Sequence, residues 1–122
     1  MQLTGTHHVA LLTRNFAAME HFYSQTLGLP ITRRWDDVTI IFIDVGSTTM
    51  ELIGRESAPM PNSEPGAFNH LALQVVNLDE AYAELVAKGI KIKSEPRNFK
   101  DVRICFFYDP DGNSLELVQE VG

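Results

Sequence analysis

Histidine and glutamate recur at matching places in the two halves of this sequence. The tetrapeptide that begins at His8, HVAL, recurs as HLAL beginning at His70. Each half then ends in a glutamate between apolar neighbours, Glu51 in the first half and Glu116 in the second. Imidazole and carboxylate groups are common ligands of divalent transition metals. We therefore expect these four side chains to bind a divalent metal ion, with zinc, nickel, cobalt, manganese and iron all suitable.

The alternation of side chains along a strand explains why the two glutamates could serve as ligands. Leu115 and Leu117 point towards the core, so Glu116 between them points the other way, and Glu51 has the same apolar flanks. A lone glutamate on a strand usually faces water, and a lone histidine is usually structural. The joint pattern favours a metal site instead, because two carboxylates carry a charge that a divalent cation balances. An octahedral ion with four protein ligands would keep about two positions for water or substrate oxygens.

The two halves also predict the same order of secondary structure. Apolar periodicity and the turn residues between segments predict one helix and four strands in each half. The first half reads as strands over 7–13, 31–35, 38–45 and 48–53 with a helix between Asn15 and Gly28. The second reads as strands over 69–76, 90–93, 102–108 and 114–119 with a helix between Asn77 and Gly89. The pattern predicts one α+β domain over 1–122, made of two paired βαβββ modules over approximately 1–62 and 66–122. The stretch 54–68, which contains prolines and glycines, joins the two modules.

Composition narrows the class of partner. The 122 residues are 44% hydrophobic and 21% charged, as expected for one globular domain, and the net charge of −6 argues against nucleic acid or an anionic membrane surface as a partner. Cys105 is the single cysteine, so no intrachain disulfide can form, and its apolar neighbours predict a buried, inert thiol. No signal peptide and no apolar run long enough to span a bilayer is visible, so we expect a cytoplasmic protein.

Four segments resemble the vicinal oxygen chelate superfamily, which includes glyoxalase I, methylmalonyl-CoA epimerase, extradiol dioxygenases and bleomycin-resistance proteins. They are HHVAL from His7, FYSQTLGL from Phe22, NHLA from Asn69 and YDPDGNSLEL from Tyr108. The resemblance implies the glyoxalase/bleomycin-resistance-like fold, with curved sheets that form a metal-binding cleft, a small-molecule substrate and a homodimer.

The metal ligands of glyoxalase I are His, Glu, His and Glu, and they match His8, Glu51, His70 and Glu116 in turn. The resemblance therefore implies a divalent-metal-dependent lyase or isomerase of glyoxalase I type, similar to lactoylglutathione lyase. Such an enzyme acts through a metal-stabilised enediolate on a small α-oxo carbonyl compound or a hemithioacetal. By the same resemblance Glu116 is the catalytic base and Glu51 its partner on the opposite side of the substrate. Leu12 stands where glyoxalase I has an arginine for the glutathione carboxylates, which argues against glutathione as substrate.

Two other functions are open on the same fold. One is an extradiol-type dioxygenase that uses ferrous iron, and the other is a non-catalytic small-molecule binding protein of the antibiotic-resistance type. Three side chains are candidates for substrate contact: Arg103 as an anion clamp, and Trp35 and Phe99 as pocket walls. Alternation places His7 on the face opposite His8, so His7 is not expected to be a ligand.

Overall fold

The chain folds into two units of the same architecture. The computed structural model describes residues 1–35, 37–59 and 70–121. The chain divides into Met1–Pro61 and Asn62–Gly122. Within the described residues, each unit contains a four-stranded mixed sheet and one helical segment in the order βαβββ, which confirms the predicted α+β class.

The first unit starts with strand β1 (His8–Thr13) and the helix α1 (Phe16–His21), which continues as a π-helical segment over Phe22–Thr26. Strands β2 (Ile31–Arg34), β3 (Ile40–Asp44) and β4 (Thr49–Gly54) follow. The strand order in the sheet is β1-β4-β3-β2, with β1 parallel to β4 and the other neighbours antiparallel.

The second unit repeats this plan with strand β5 (Leu71–Gln74), helix α2 (Leu78–Ala87) and strands β6 (Ile92–Phe99), β7 (Val102–Tyr108) and β8 (Ser114–Glu120). Its order is β5-β8-β7-β6, and again the first and last strands are parallel. Within the described residues, none of the helices has the length and apolar character needed to cross a bilayer.

The helix ends follow local signals in the sequence. The Asn77 side chain accepts a hydrogen bond from the Glu80 amide and caps α2, as the spacing predicts. Gly89 follows that helix with φ of 73°, in the left-handed region that glycine adopts most easily. Asn15 precedes α1 but makes no side-chain capping hydrogen bond; instead its own amide donates to Thr13 Oγ1.

In each unit the helix covers one face of the sheet, and this arrangement decides where the glutamates point. Helix α1 packs on β4, and α2 packs on β6, β7 and β8. The residues buried on the helix-covered faces include Ile41, Ile43, Met50 and Leu52 in the first unit and Cys105, Phe107, Leu115 and Leu117 in the second. Glu51 and Glu116 alternate with these residues and so lie on the opposite face, which we call the His–Glu face of each sheet.

Strand β6 differs most from the prediction. It was expected over 90–93 but runs from Ile92 to Phe99 and contains Pro96. Proline lacks the N–H that a central strand needs, and it is tolerated here because β6 is an edge strand with two register shifts against β7. Of the predicted linker, Gly54 ends β4, and residues 60–68 lie outside the described part of the chain.

Candidate metal centre

Each unit brings one histidine and one glutamate into direct contact. His8 Nε2 lies 3.5 Å from Glu51 Oε1, and His70 Nε2 lies 3.0 Å from Glu116 Oε1. The glutamate side chains are largely shielded, with exposed fractions of 15% for Glu51 and 13% for Glu116. A shielded carboxylate is costly unless a cation or hydrogen-bond donors balance it. Both pairs therefore suit a bound cation.

The same strand register creates both pairs. In the parallel pairing of β1 with β4, Ala10 lies beside Glu51, and in the pairing of β5 with β8, Ala72 lies beside Glu116. His8 stands two residues before Ala10, and β5 follows directly after His70, so each imidazole reaches diagonally to its glutamate. The small alanine side chain leaves the space beside the carboxylate open.

A phenylalanine flanks each glutamate on its other side. Phe42 pairs with Glu51, and Phe106 pairs with Glu116. The His8 ring meets the Phe42 ring edge-on with centroids 6.0 Å apart, and His70 meets Phe106 in the same way at 5.3 Å. Phe106 is a site residue that was not predicted from the sequence, although the repeat indicates it: IIF ending at Phe42 corresponds to ICF ending at Phe106.

The separations within the pairs fit two ligands of one ion. Two atoms that each lie about 2.1 Å from zinc, at octahedral or tetrahedral angles, are about 3.0 to 3.4 Å apart. The observed separations of 3.5 Å and 3.0 Å are close to this range. Among the described residues, no three or more His, Cys, Asp and Glu side chains form one group that could hold an ion. Each unit by itself supplies two of the four predicted ligands.

His7 lies against His8 instead of on the opposite face. Its Nδ1 is 2.8 Å from His8 Nδ1, so one ring donates a hydrogen bond to the other. Strand β1 begins only at His8, and the alternation used in the prediction does not extend to the residue before it. This contact fixes the orientation of the His8 ring, whose Nε2 then faces Glu51.

Of the predicted substrate contacts, Trp35 shares the His–Glu face of the first unit. Its ring is 5.3 Å from Phe42, which also touches His8, and 41% of the tryptophan is exposed. The Arg33 guanidinium lies 5.8 Å from the centroid of the same Phe42 ring. The first unit thus places partly exposed aromatic surface beside its ligand pair.

Arg103 and Phe99 are placed differently. Arg103 lies on β7 and reaches the start of α2, where its Nε and Nη2 donate to the two carboxylate oxygens of Asp79 at 3.0 and 2.9 Å; its Nη1 donates to Asn98 on β6. This ion pair holds the pKa of Asp79 below its usual value and occupies the guanidinium on the helix-covered face. Phe99 is half-exposed and pairs with Val102, about 13 Å along β7 from Phe106. Neither side chain is near His70 and Glu116.

Cys105 is buried as predicted, with 1% of the residue exposed. Burial raises the pKa of its thiol to about 11, so the group stays protonated at neutral pH. A protonated, buried thiol is neither a nucleophile nor a metal ligand.

Comparison with known proteins identifies the family. Residues 5–117 match the sequence profile of the Glyoxalase/Bleomycin resistance protein/Dioxygenase superfamily. The chain belongs to this superfamily. The match spans both units of the chain and therefore includes both of its His–Glu pairs.

Three similar proteins illustrate the range of the superfamily. YwkD of Bacillus subtilis (strain 168), an uncharacterized protein, is 32% identical over 98% of this chain and 100% of its own. A lactoylglutathione lyase of Salmonella typhimurium is 30% identical over 80% of this chain and 79% of its own. The crystal structure of a glyoxalase family protein from Enterococcus faecalis superposes with a TM-score of 0.80 at 31% identity, covering 97% of this chain and 99% of that one.

Proposed function

We propose that this protein is a divalent-metal-dependent lyase or isomerase of glyoxalase type that acts on a small α-oxo carbonyl compound or hemithioacetal. The observation that carries the proposal is the repetition of one His–Glu pair, in one strand register, on the same face of both sheets. Similarity to a lactoylglutathione lyase supports this reaction class.

His8, Glu51, His70 and Glu116 would hold the ion together. Two imidazoles and two carboxylates form a set suited to zinc, nickel, cobalt, manganese or ferrous iron. A divalent ion supplies Lewis-acid stabilisation of the negative charge that develops on two neighbouring substrate oxygens. The pairs come together either within one chain or across a homodimer, and the proposal holds for both arrangements.

Glu116 is the proposed base. Its side chain is 13% exposed, and Phe106 flanks it in the strand register, which limits the water that could compete for a proton. It would take a proton from the carbon next to the carbonyl and return it to the neighbouring carbon. The electron pair moves within the substrate, so no external oxidant or reductant is needed. Glu51 has the same flanks in the first unit and is the proposed partner.

Trp35 and Phe42 would contact the substrate in the first unit. Their rings meet edge-on and extend from His8 to exposed surface, where an apolar substituent can bury area against them. Arg103 has no part in the proposal, because its guanidinium is bound to Asp79.

The test is an isomerisation assay with the protein loaded separately with each of the five metals. Methylglyoxal would be mixed with several thiols, and thioester formation would be followed by its ultraviolet absorbance. Glu116→Gln should reduce kcat by roughly a hundredfold to ten-thousandfold, the usual contribution of a positioned base. Glu120→Gln is the matched control, because that glutamate lies on the same strand at its exposed end.

Metal content provides the second arm of the test. His70→Ala should lose bound metal on elemental analysis, whereas His21→Ala, an exposed histidine of α1, should retain it. Turnover with oxygen uptake in the iron-loaded protein would indicate a dioxygenase instead. Ligand binding that survives metal removal, without turnover of any adduct, would indicate a binding protein.

A further inference from the structure

Two lysines at the start of β6 lie against aromatic rings of the second unit. Lys93 Nζ is 5.7 Å from the ring centroid of Phe106 and 5.9 Å from that of Tyr108. Lys91 Nζ is 5.2 Å from the Tyr108 centroid. An ammonium group at such distances is attracted to the face of the ring, which restricts an otherwise flexible side chain.

These contacts place the Lys93 ammonium on the His–Glu face of the second unit. Phe106 is the cross-strand neighbour of Glu116, and the His70 ring packs against it. Lys93 Nζ also lies 3.4 Å from the hydroxyl oxygen of Ser114, which is two residues before Glu116 on β8 and therefore points to the same face. A positive charge thus lies on the same sheet face as the proposed base, next to its cross-strand neighbour Phe106.

The ammonium of Lys93 retains capacity for another partner. A lysine has three donors, and the contact with Ser114 is at the long limit of a hydrogen bond. None of the ion pairs among residues 1–35, 37–59 and 70–121 includes Lys91 or Lys93. Lysines of edge strands also serve to prevent pairing with other sheets, and such side chains project beside the edge. Lys93 instead lies over the sheet face.

Positively charged residues are concentrated in β6 and the residues next to it. The chain has ten lysines and arginines and a net charge of −6, yet four of the ten fall between residues 91 and 100: Lys91, Lys93, Arg97 and Lys100. A local excess of positive charge on an acidic protein attracts anions of the size of a substrate.

We propose that Lys93, assisted by Lys91, binds a carboxylate group of the substrate. The preferred substrate is then an anionic α-oxo carbonyl compound, or a hemithioacetal made from a thiol that bears a carboxylate. This inference rests on the proposed function, since it names the substrate class of the same site. It makes Lys93 a binding residue that touches the substrate away from the reacting carbon.

The test compares two methylglyoxal adducts of similar size, one made with 3-mercaptopropionate and one with uncharged 2-mercaptoethanol. A charge-assisted hydrogen bond predicts a preference for the anionic adduct of roughly tenfold to a hundredfold in kcat/KM. Lys93→Met should reduce this ratio to near one, and Lys93→Arg should restore most of it. Lys100→Met is the matched control, because Lys100 lies over Phe99 instead of Phe106, and it should keep the wild-type ratio.

A binding experiment separates failure of this inference from failure of the proposed function. Propionate and 1-propanol would be titrated into the protein while the ring resonances of Phe106 and Tyr108 are followed by nuclear magnetic resonance. Propionate should shift these resonances in the wild type and not in Lys93→Met, and 1-propanol should shift neither. If no adduct is isomerised but propionate binds in this way, the proposed reaction fails and the anion site stands. The inference would be overturned if the wild type showed no preference in kcat/KM for the anionic adduct. It would also be overturned if Lys93→Met kept either that preference or the resonance shifts caused by propionate.

Discussion

Replacing His8 or His70 by alanine tests whether the two His–Glu pairs share one ion. Each pair sits in its own unit, with separations of 3.5 Å and 3.0 Å that suit two ligands of a common metal. If the pairs act together, the wild type binds one ion per chain, and either replacement removes it. If each pair held its own ion, the wild type would bind two, and each variant would keep one.

The expected loss can be estimated from ligand number. A four-ligand zinc site contributes about 10–16 kcal/mol at pH 7, so one ligand accounts for about 3 kcal/mol, or roughly a hundredfold in affinity. At free zinc about a hundredfold above the wild-type Kd, binding stabilises the folded state by about 2.7 kcal/mol. At the same concentration a variant with a hundredfold weaker affinity gains only about 0.4 kcal/mol. For 122 residues these values correspond to rises in Tm of roughly 10 °C and 2 °C.

Thermal unfolding with and without buffered zinc, together with elemental analysis, measures both quantities. His21→Ala should behave as the wild type. Two ions in the wild type with one retained in each variant, or a full thermal shift in either variant, would refute a shared centre. Mixing the His8→Ala and His70→Ala proteins adds a further distinction, because only a site that spans two chains can regain an intact set of ligands from such a mixture.

Three further predictions concern neighbouring groups. His7→Ala should weaken metal affinity about tenfold in an equilibrium competition assay, since the Nδ1 contact that orients His8 is lost; an affinity equal to the wild type would exclude this role. Because the pKa of Cys105 is raised, the thiol keeps its proton in the folded protein, whereas in the unfolded chain it ionises near pH 9. The free energy of unfolding should therefore fall as pH rises from about 9 to 11. Cys105→Ala should lack this slope in urea titrations. Arg103→Met should lower Tm slightly and leave KM unchanged, because it removes the ion pair with Asp79. Since the pKa of Asp79 is lowered by that pair, the difference in Tm between variant and wild type should disappear as pH falls well below 3.8. A raised KM in the variant would indicate that Arg103 contacts the substrate.

The strand face on which each proposed ligand glutamate lies could be predicted from the sequence, because it depends only on local alternation and on repetition. One strand period decides that Glu116 points away from Leu115 and Leu117, and the same reasoning applies to Glu51. Cross-strand register could not be obtained in this way. The placement of Ala72 and Phe106 on either side of Glu116 depends on how β5, β8 and β7 align, which is set by packing across the sheet.

Contacts between distant elements account for the remaining differences. Alternation alone placed Arg103 on a strand where it could meet substrate, but the ion pair with Asp79 depends on where α2 packs against β7. Lys93 was overlooked because β6 was expected to end at that residue, since Pro96 argues against a central strand. As an edge strand β6 continues past the proline, and the basic residues along it remain part of the sheet.

The differences between the two units indicate which residues select the substrate. Both units present the same row of alanine, glutamate and phenylalanine beside a histidine, so this row accounts for what the units share in the proposal, the binding of an ion. Around that row the first unit adds the exposed ring of Trp35 and the Arg33 guanidinium, whereas the second adds the ammonium of Lys93. Both units therefore place a cation over the phenylalanine of the row, and the first adds an indole ring. If Trp35 contacts an apolar group of the substrate, Trp35→Ala should raise KM for an adduct with a large apolar substituent and leave the preference for an anionic adduct over its uncharged analogue unchanged. An equal KM in the wild type and the variant would exclude this contact.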